Sequence, residues 1–281
     1  MIKYSVLSSV YEKEKPEYLK ESIKSIFNQT VPTDDFILVK DGPLNEELEE
    51  VIRDFMYQYP NNMSVLEIKK NVGLAAALNI GLKACKYDLV ARMDTDDIST
   101  HNRFELQLAE FEKNSSLDLV GTYMDEFIDN PNEINAVKKV PLDQISIFKY
   151  GKRRNPFNHP TVMYKKNTVI SLGGYNSVNR GEDIDLFIRM ILNGSGCKNI
   201  GLSLVKYRTN DDMLARRKSW STTKAYVGVI YRSWRKGYSS LVDLTIVAAA
   251  QIIISILPLK IERWVFRKLF RKSPPLVKGN R

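Results

Sequence analysis

The sequence predicts an α/β fold in which helices cover both faces of a parallel sheet. Apolar and β-branched runs of strand length, such as Tyr4–Val10 and FILVK at 36–40, alternate with amphipathic helix patterns. The 281-residue chain is 43% hydrophobic and 27% charged, which is typical of a folded protein with a core of ordinary size. Strands that alternate with helices of this length form βαβ units.

The first half of the chain alternates between strand and helix patterns up to residue 113. The run Tyr4–Val10 is followed by Glu17–Asn28, in which Leu19, Ile23 and Ile26 are spaced to share one helical face. Asn45 precedes glutamates in the first turns of the next helix, as a helix N-cap does. The predicted strands are 4–10, 36–40, 64–69 and 87–93, and the predicted helices are 17–28, 45–59, 74–85 and 101–113.

Periodicity weakens after residue 113. Strands are predicted at 117–122 and 159–165, and the polar segment 127–150 lacks a clear pattern. Glu182 and Asp183 begin a strongly helical stretch that stops at Gly194, a residue type common at helix C-termini. A helix dipole favours anions at this position, so the pair is explained equally well as a charged first turn or as part of a site.

Composition and charge exclude several classes of protein. Cys85 and Cys197 are far apart and lack metal-ligand spacing, so reduced thiols in a cytosolic setting are expected. A signal peptide is not expected, because charged residues at 12–14 precede any adequate apolar run. The net charge is +9, yet residues 206–281 carry +13 and the first 205 residues carry −4. A partner of the basic tail is therefore expected.

The hydrophobic strand pattern YDLVARM ends directly in Asp94, Asp96 and Asp97. An isolated acidic run of this kind is usually a solvated turn. Carboxylates spaced Asp-x-Asp in an extended segment also point the same way and can bind one hard cation. Asp41 likewise follows a predicted strand, and ligands of such sheets bind beyond the carboxyl ends of the strands. This shared position favours a functional site.

Eight sequence blocks stand in a characteristic order between Tyr4 and about Tyr207. They are SVLSSVYEKE, LKESIKSIFNQT, ILVKDG, NVGLAAALNIGL, ARMDTDDIS, HPTVMYKK, GGY and GEDIDLFIRM. Together they resemble the blocks of inverting family 2 glycosyltransferases with the GT-A fold, including enzymes of bacterial surface-polysaccharide synthesis. The resemblance implies a Rossmann-like mixed sheet flanked by helices, a UDP-sugar donor and a divalent cation, Mn²⁺ or Mg²⁺.

The resemblance also assigns the donor half of the site. Asp96 would ligate the metal directly, and Asp94 would lie near the metal, the donor ribose and the sugar. Asp97 would position Arg92, itself a donor-site residue, or cap the next helix. Asp41 would accept a hydrogen bond from the uracil ring. The other implied donor-binding residues are Tyr11, which would stack on the uracil, Glu12 at the ribose, and Asn71 and Gly73 at the nucleotide.

Inversion at the anomeric carbon requires a base that deprotonates the acceptor hydroxyl opposite the leaving diphosphate. The Glu-Asp pair of the family matches Glu182 and Asp183, which implies Asp183 as the base and Glu182 as a neighbour that contacts the acceptor or orients the site. His159 fits a structural role and an acceptor-site role equally. The Gln-x-x-Arg-Trp block of processive synthases is absent, which favours transfer of one sugar per acceptor.

Many relatives carry a metal- or diphosphate-binding His beyond the catalytic helix, and this sequence has none there. Asn210, Asp211 and Asp212 occupy that region, so the third protein contact to the metal stays open. Arg216 and Arg217 fit either a diphosphate-binding role or a basic helix face beside a membrane.

Residues 1–207 are predicted to form the catalytic domain and residues 208–281 a basic helical tail. The apolar run Leu244–Leu257 is shorter than the roughly 20 residues that a membrane-spanning helix needs. Beyond Pro258, residues 259–272 alternate apolar and basic side chains at near-helical spacing, as in a helix that lies in an anionic membrane interface. The alternative is that both segments pack on the catalytic domain as ordinary helices.

Membrane attachment suits a lipid-linked saccharide acceptor, which the resemblance implies, and a cytoplasmic location on the inner face of the cell membrane. Two other functions compete with sugar transfer. A nucleotidyltransferase would need a Gly-rich phosphate loop, and SVYEKEKPEY contains no glycine. A non-catalytic, membrane-bound nucleotide-sugar-binding protein is the other alternative. Nucleic-acid binding is not expected, because the catalytic part is net acidic.

Overall fold

The computed structural model describes residues 2–177, 181–209 and 219–256. Within these ranges the strands form one mixed sheet with the order β3-β2-β1-β4-β8-β6-β9-β5, and β7 pairs with β6. The strands are β1 Tyr4–Val10, β2 Phe36–Asp41, β3 Met63–Ile68, β4 Leu89–Arg92, β5 Ile98–Ser99, β6 Leu117–Phe127, β7 Ala136–Lys138, β8 Met163–Lys165 and β9 Gly196–Arg208.

Helices flank the sheet on both faces. Asn45 caps α2 as predicted, because its side chain accepts a hydrogen bond of 2.9 Å from the Leu48 backbone N–H. The helices are α1 Pro16–Phe27, α2 Glu46–Gln58, α3 Leu74–Ala84, α4 Arg103–Lys113, α5 Gln144–Gly151, α6 Lys166–Ser171, α7 Glu182–Leu192, α8 Trp220–Arg235 and α9 Leu241–Ile256.

The alternation of side chains along the strands divides the core into two layers. Tyr4 and Val6 of β1 pack with α1, α2 and α4 on one face of the sheet. Leu7 points to the other face, where α3 and α7 pack. Gly81 allows α3 to approach closely, since a Cβ there would lie 2.4 Å from Leu7 Cδ1. Both faces of the central strands are therefore buried.

The parallel half of the sheet positions three predicted donor-site residues at one edge. Strand β1 pairs in parallel with β2 on one side and with β4 on the other, so the strand order reverses at β1. Tyr11, Asp41 and Asp94 all stand at the carboxyl ends of these strands. This is the edge at which open α/β sheets bind their ligands.

The first four strands and the helices between them were predicted to within two residues at each end. The prediction of a strand throughout 159–165 was wrong in part, because His159–Thr161 is a 3-10 turn and strand β8 begins at Met163. The sequence analysis did not predict β7, α5, β9 or α8. Cys85 and Cys197 are both free and buried, in agreement with the predicted absence of a disulfide framework.

The described part of the tail forms two helices that pack on each other and against the catalytic core. Val229 and Ile230 of α8 and Val247 of α9 are buried in the same cluster as α7. The apolar tail segment that begins at Leu244 thus packs partly on the core. The basic segment at residues 259–272 lies outside the described residues. No helix in the described ranges has both the length and the apolar character needed to cross a bilayer.

Candidate active site

Three carboxylates converge in the turn after β4. Oxygen atoms of Asp94, Asp96 and Asp97 lie within 4.8 Å of one another, an arrangement that can hold a metal ion. Asp94 forms an ion pair with the buried guanidinium of Arg92 at the end of the strand. The backbone of the turn is fixed from α1, because Ser22 Oγ donates to the Asp94 carbonyl at 2.9 Å.

The electrostatics of this turn favour a bound cation. Burial, and then the charges of Asp94 and Glu14, raise the pKa of Asp96 to about 7. Burial and the two neighbouring acids raise the pKa of Asp97 well above its ordinary value. One carboxylate oxygen of Asp97, Oδ2, is buried without a hydrogen-bond partner. A divalent ion would satisfy this oxygen and neutralise the cluster, so the donor set fits Mn²⁺ or Mg²⁺.

Arg208, at the end of β9, holds the acidic turn in place. Its backbone N–H donates to Asp97 Oδ1 at 2.9 Å, and its Nε donates to the Asp96 carbonyl at 3.1 Å. The guanidinium also pairs with Glu21 and stacks 3.8 Å from the centre of the Tyr18 ring. The prediction that Asp97 caps the next helix was wrong, because α4 begins only at Arg103 and Asp97 instead anchors β9.

Glu14 is a fourth acid beside this turn, and it was not identified from the sequence. Its Oε2 accepts a hydrogen bond of 2.6 Å from Thr95 Oγ1, in the middle of the acidic turn. Burial raises the pKa of Glu14, the hydrogen bond from Thr95 opposes this shift, and the charge of Asp94 adds to it. Its signal in the sequence was weak, since Glu14 stands in a run of alternating charges at residues 12–15.

The predicted nucleotide-binding loop is built around Asp41. The two carboxylate oxygens of Asp41 accept backbone N–H groups of Val72, at 2.7 Å, and Gly73, at 3.0 Å. Asn71 Nδ2 donates to the Asp41 carbonyl at 3.1 Å. Gly42 has a positive φ of 97°, and a Cβ there would lie 2.8 Å from the Asn71 backbone nitrogen. Each Asp41 oxygen retains a lone pair for a further donor.

Tyr11 and Glu12 follow β1 at the same edge of the sheet. The Tyr11 side chain is half-buried, and Glu12 is exposed. Gly73, at the N-terminus of α3, also has a positive φ of 89°, and the space around its Cα is open. The loop thus leaves room for a flat ring beside exposed backbone.

The second acidic pair begins α7. Asp183 Oδ2 accepts a hydrogen bond of 2.6 Å from Asn155 Nδ2, and its Oδ1 accepts the Ile184 backbone N–H at 2.8 Å. Glu182 bonds only locally within the described residues, to the Gly181 N–H at 2.9 Å. Burial raises the pKa of both carboxyl groups, and the charge of Asp183 raises that of Glu182 further.

Arg92 connects the two acidic groups electrostatically. Its charge lowers the pKa of Asp96 and Asp97 on one side and of Glu182 and Asp183 on the other, which partly offsets burial. Both acidic groups therefore lie within the electrostatic range of one buried guanidinium.

Two nearby side chains have structural partners. His159 Nε2 lies 3.1 Å from the Tyr175 hydroxyl, and burial lowers the pKa of His159 well below its ordinary value. Asp185 accepts from Arg189, Asn176 and Arg232, at 2.8–3.1 Å. Of the remaining candidates, Asn210, Asp211, Asp212, Arg216 and Arg217 lie outside the described residues.

Comparison with known proteins identifies the family. The model of glycosyl transferase family 2 matches residues 5–173. A galactosyltransferase of Escherichia coli, named UDP-Gal:alpha-D-GlcNAc-diphosphoundecaprenol beta-1,3-galactosyltransferase, is 36% identical over 96% of this chain and 97% of its own length. The amylovoran biosynthesis glycosyltransferase AmsE of Erwinia amylovora is 33% identical over 94% of this chain and 98% of its own.

A solved structure supports the fold independently. The mannosyltransferase PcManGT of Pyrobaculum calidifontis, crystallised with GDP-Man and Mn²⁺, superposes with a TM-score of 0.65. The match is 13% identical in sequence and covers 97% of this chain and 76% of that one, so it bears on the fold alone. The chain therefore belongs to glycosyl transferase family 2 and is a glycosyltransferase with the GT-A fold.

Proposed function

We propose that this glycosyltransferase moves one sugar from a UDP-sugar to a lipid-linked saccharide, with inversion, during assembly of a bacterial surface polysaccharide. The E. coli relative is named for UDP-Gal and a GlcNAc-diphosphoundecaprenol acceptor, and the Erwinia relative for amylovoran biosynthesis. The observation that carries the proposal is the cluster of three carboxylates after β4, at the sheet edge where Tyr11 and Asp41 also lie. Neither a nucleotidyltransferase nor a non-catalytic protein is favoured by these relatives.

The donor binds at the carboxyl ends of β1, β2 and β4 in this proposal. Tyr11 stacks on the uracil, and Glu12 reaches the ribose. Asp41 uses its free lone pairs to accept from the ring N–H, while its bonds to Val72 and Gly73 keep the loop closed. Asn71 and Gly73 present exposed polar atoms and backbone to the nucleotide. Asp94 reaches the donor sugar, and the buried Arg92 acts on the donor through its ion pair with Asp94.

Asp96 and Asp94 would hold the divalent ion, and the unpartnered Oδ2 of Asp97 lies beside them. Mn²⁺ or Mg²⁺ held there would supply positive charge to the leaving diphosphate. The residues themselves keep the cluster in position, because Arg208, Ser22 and Thr95 fix the backbone and side chains of the turn.

Asp183 serves as the general base, and Glu182 contacts the acceptor beside it. The acceptor oxygen attacks the anomeric carbon while its proton passes to the Asp183 carboxylate. The bond between the anomeric carbon and the diphosphate oxygen breaks, and its electron pair leaves with UDP. Attack opposite the leaving group inverts the configuration. The raised pKa of Asp183 makes its carboxylate a stronger base than an exposed aspartate.

A donor screen tests the reaction. The full chain is incubated with Mn²⁺, a panel of UDP-sugars and a synthetic lipid-diphosphate monosaccharide, and UDP release and product anomer are measured. We expect one UDP-sugar to give acceptor-dependent UDP release, loss of activity in EDTA, and a product of inverted configuration. Retained configuration would contradict the mechanism, and transfer only to acceptors without a lipid would contradict the acceptor class.

In this proposal the tail binds an anionic membrane surface on the cytoplasmic side, where the lipid-linked acceptor lies. The outer face of α9 carries Val242, Ile246, Ile253 and Ile256, which are spaced to share one side of the helix. Ile253 is 57% exposed and Ile256 is 73% exposed. Exposed apolar side chains next to a strongly basic sequence fit a helix that lies on an anionic bilayer.

Replacement of Ile253 by Lys is expected to weaken binding to vesicles that contain phosphatidylglycerol. Burial of one Ile side chain contributes about 1.5–3 kcal/mol, so we expect roughly a tenfold loss or more in a flotation assay. Tyr57→Lys on α2, which adds the same charge at an exposed aromatic residue, is the control and should bind like the wild type. Equal binding by the Ile253 variant would exclude this face of α9 from the membrane contact.

A further inference from the structure

The segment from Phe148 to Asn155 lies between the proposed base and the two C-terminal helices. The Tyr238 hydroxyl donates to the Phe148 carbonyl at 2.6 Å, and Ser239 Oγ donates to the Lys152 carbonyl at 2.8 Å. Arg153 forms an ion pair with Asp243 of α9. The tail thus fastens this segment by side-chain contacts to its backbone and to one of its arginines.

Tyr226 of α8 contacts the same segment next to Asn155. Its hydroxyl donates to the Arg153 carbonyl at 3.3 Å, two residues before Asn155. This bond restricts the backbone that leads to Asn155. Asn155 therefore takes its position partly from α8.

Asn155 in turn orients the Asp183 carboxylate. Its Nδ2 donates to Asp183 Oδ2 at 2.6 Å, and its own Oδ1 accepts the Phe157 N–H at 3.2 Å, which fixes the amide plane. Asp183 Oδ1 is held by the Ile184 N–H. Both oxygens are directed by one donor each, and each retains a lone pair for an acceptor hydroxyl.

We propose that Asn155 is a positioning residue for the catalytic base and that Tyr226 of α8 holds Asn155 in place. The inference rests on the proposed role of Asp183. It makes the C-terminal helices part of the acceptor half of the active site, since their contacts reach the base through a single residue. Helix α8 is then connected to the base by two hydrogen bonds, from Tyr226 to the Arg153 carbonyl and from Asn155 to Asp183.

Asn155→Asp removes the donated N–H and adds a second carboxyl group. The variant keeps an oxygen for the Phe157 N–H and places a carboxyl oxygen where the N–H faced Asp183. Two carboxyl groups then share one site, so one of them retains its proton to higher pH. The other charged or titratable groups that act on Asp183, or that feel its charge, remain unchanged: Lys138, Arg92, Glu182, Tyr175 and Tyr226.

The measurement is the pH dependence of kcat, with the donor identified in the screen above. We expect the acidic limb to move upward by about one pH unit or more and kcat at neutral pH to fall about tenfold. The Kd for UDP should stay within twofold of the wild-type value. An unmoved acidic limb in a folded Asn155→Asp variant would overturn the inference, even if kcat were lower.

Tyr226→Phe tests the second contact, with Tyr231→Phe on the exposed side of α8 as the matched control. We expect Tyr226→Phe to lower kcat several-fold without changing UDP binding, and to lower it less in the Asn155→Asp background, because coupled residues are not additive. Fully additive effects would exclude the proposed connection. If Asp183→Asn kept its turnover, the proposed role of Asp183 as the base would be wrong. If Asp183→Asn were inactive and Asn155→Asp showed the wild-type pH profile, only the positioning role of Asn155 would be wrong.

Discussion

Replacement of Asp183 by Asn is expected to abolish turnover and to leave UDP binding intact. The amide keeps the size of the side chain and an oxygen for one of its two hydrogen-bond donors, yet it cannot take the acceptor proton. General bases contribute about 10²–10⁴-fold to rate, and we expect a loss in kcat at the upper end of this range or beyond. The checks are steady-state kinetics with the acceptor and calorimetric titration with UDP and Mn²⁺.

The neighbouring Asp185 provides the matched control. It lies on the same helix, but its carboxylate is committed to Arg189, Asn176 and Arg232. Burial alone would raise its pKa, and these donors outweigh burial and lower it. Asp185→Asn should therefore reduce thermal stability with little effect on kcat in the folded enzyme. If Asp183→Asn turned over sugar at the wild-type rate, another residue would be the base.

The pH dependence of the wild-type enzyme follows from the same group. Burial raises the pKa of Asp183 above that of an ordinary aspartate, and the base acts only when it is ionised. We therefore expect kcat to fall as the pH decreases through this raised value. In the Asp183→Asn variant, the pH profile of any residual kcat should lack this acidic limb.

Replacement of Asp96 by Asn is expected to remove metal binding and metal-dependent donor binding. In wild-type protein, ligand at about 100 times its Kd adds about 2.7 kcal/mol to stability, which corresponds to a Tm increase of roughly 5–10 °C with Mn²⁺. The variant should show almost no increase. Because the transition state loses several kcal/mol of charge stabilisation, kcat/KM should fall on the order of 10³-fold.

The apo form of Asp96→Asn should be at least as stable as the apo wild type. The charges of Asp94 and Glu14 oppose ionisation of Asp96, so a neutral side chain relieves repulsion. The control is Asp54→Asn on the exposed side of α2, which makes the same change in charge away from the cluster. A normal Mn²⁺-induced increase in the Tm of Asp96→Asn would show that Asp96 is not a ligand.

The strand-end acids were predictable because local patterns determine where strands stop. YDLVARM has the pattern of a buried strand, and ILVK before Asp41 has the same character, so both acids reach the same edge of a parallel sheet. Strand β9 was missed because its residues are mostly polar or small up to Leu204 and alternate poorly. Its long pairing with β6 is a tertiary effect.

By itself, the sequence determined the α/β architecture and the two acidic groups, Asp94–Asp97 and Glu182–Asp183. Only the tertiary structure decided what holds them. Arg208 reaches the acidic turn from more than a hundred residues away, and Asn155 reaches Asp183 from a segment without periodicity. The physical reason is that backbone patterns are local, whereas the partners of a buried carboxylate are chosen by which distant segments the folded core brings within hydrogen-bond distance.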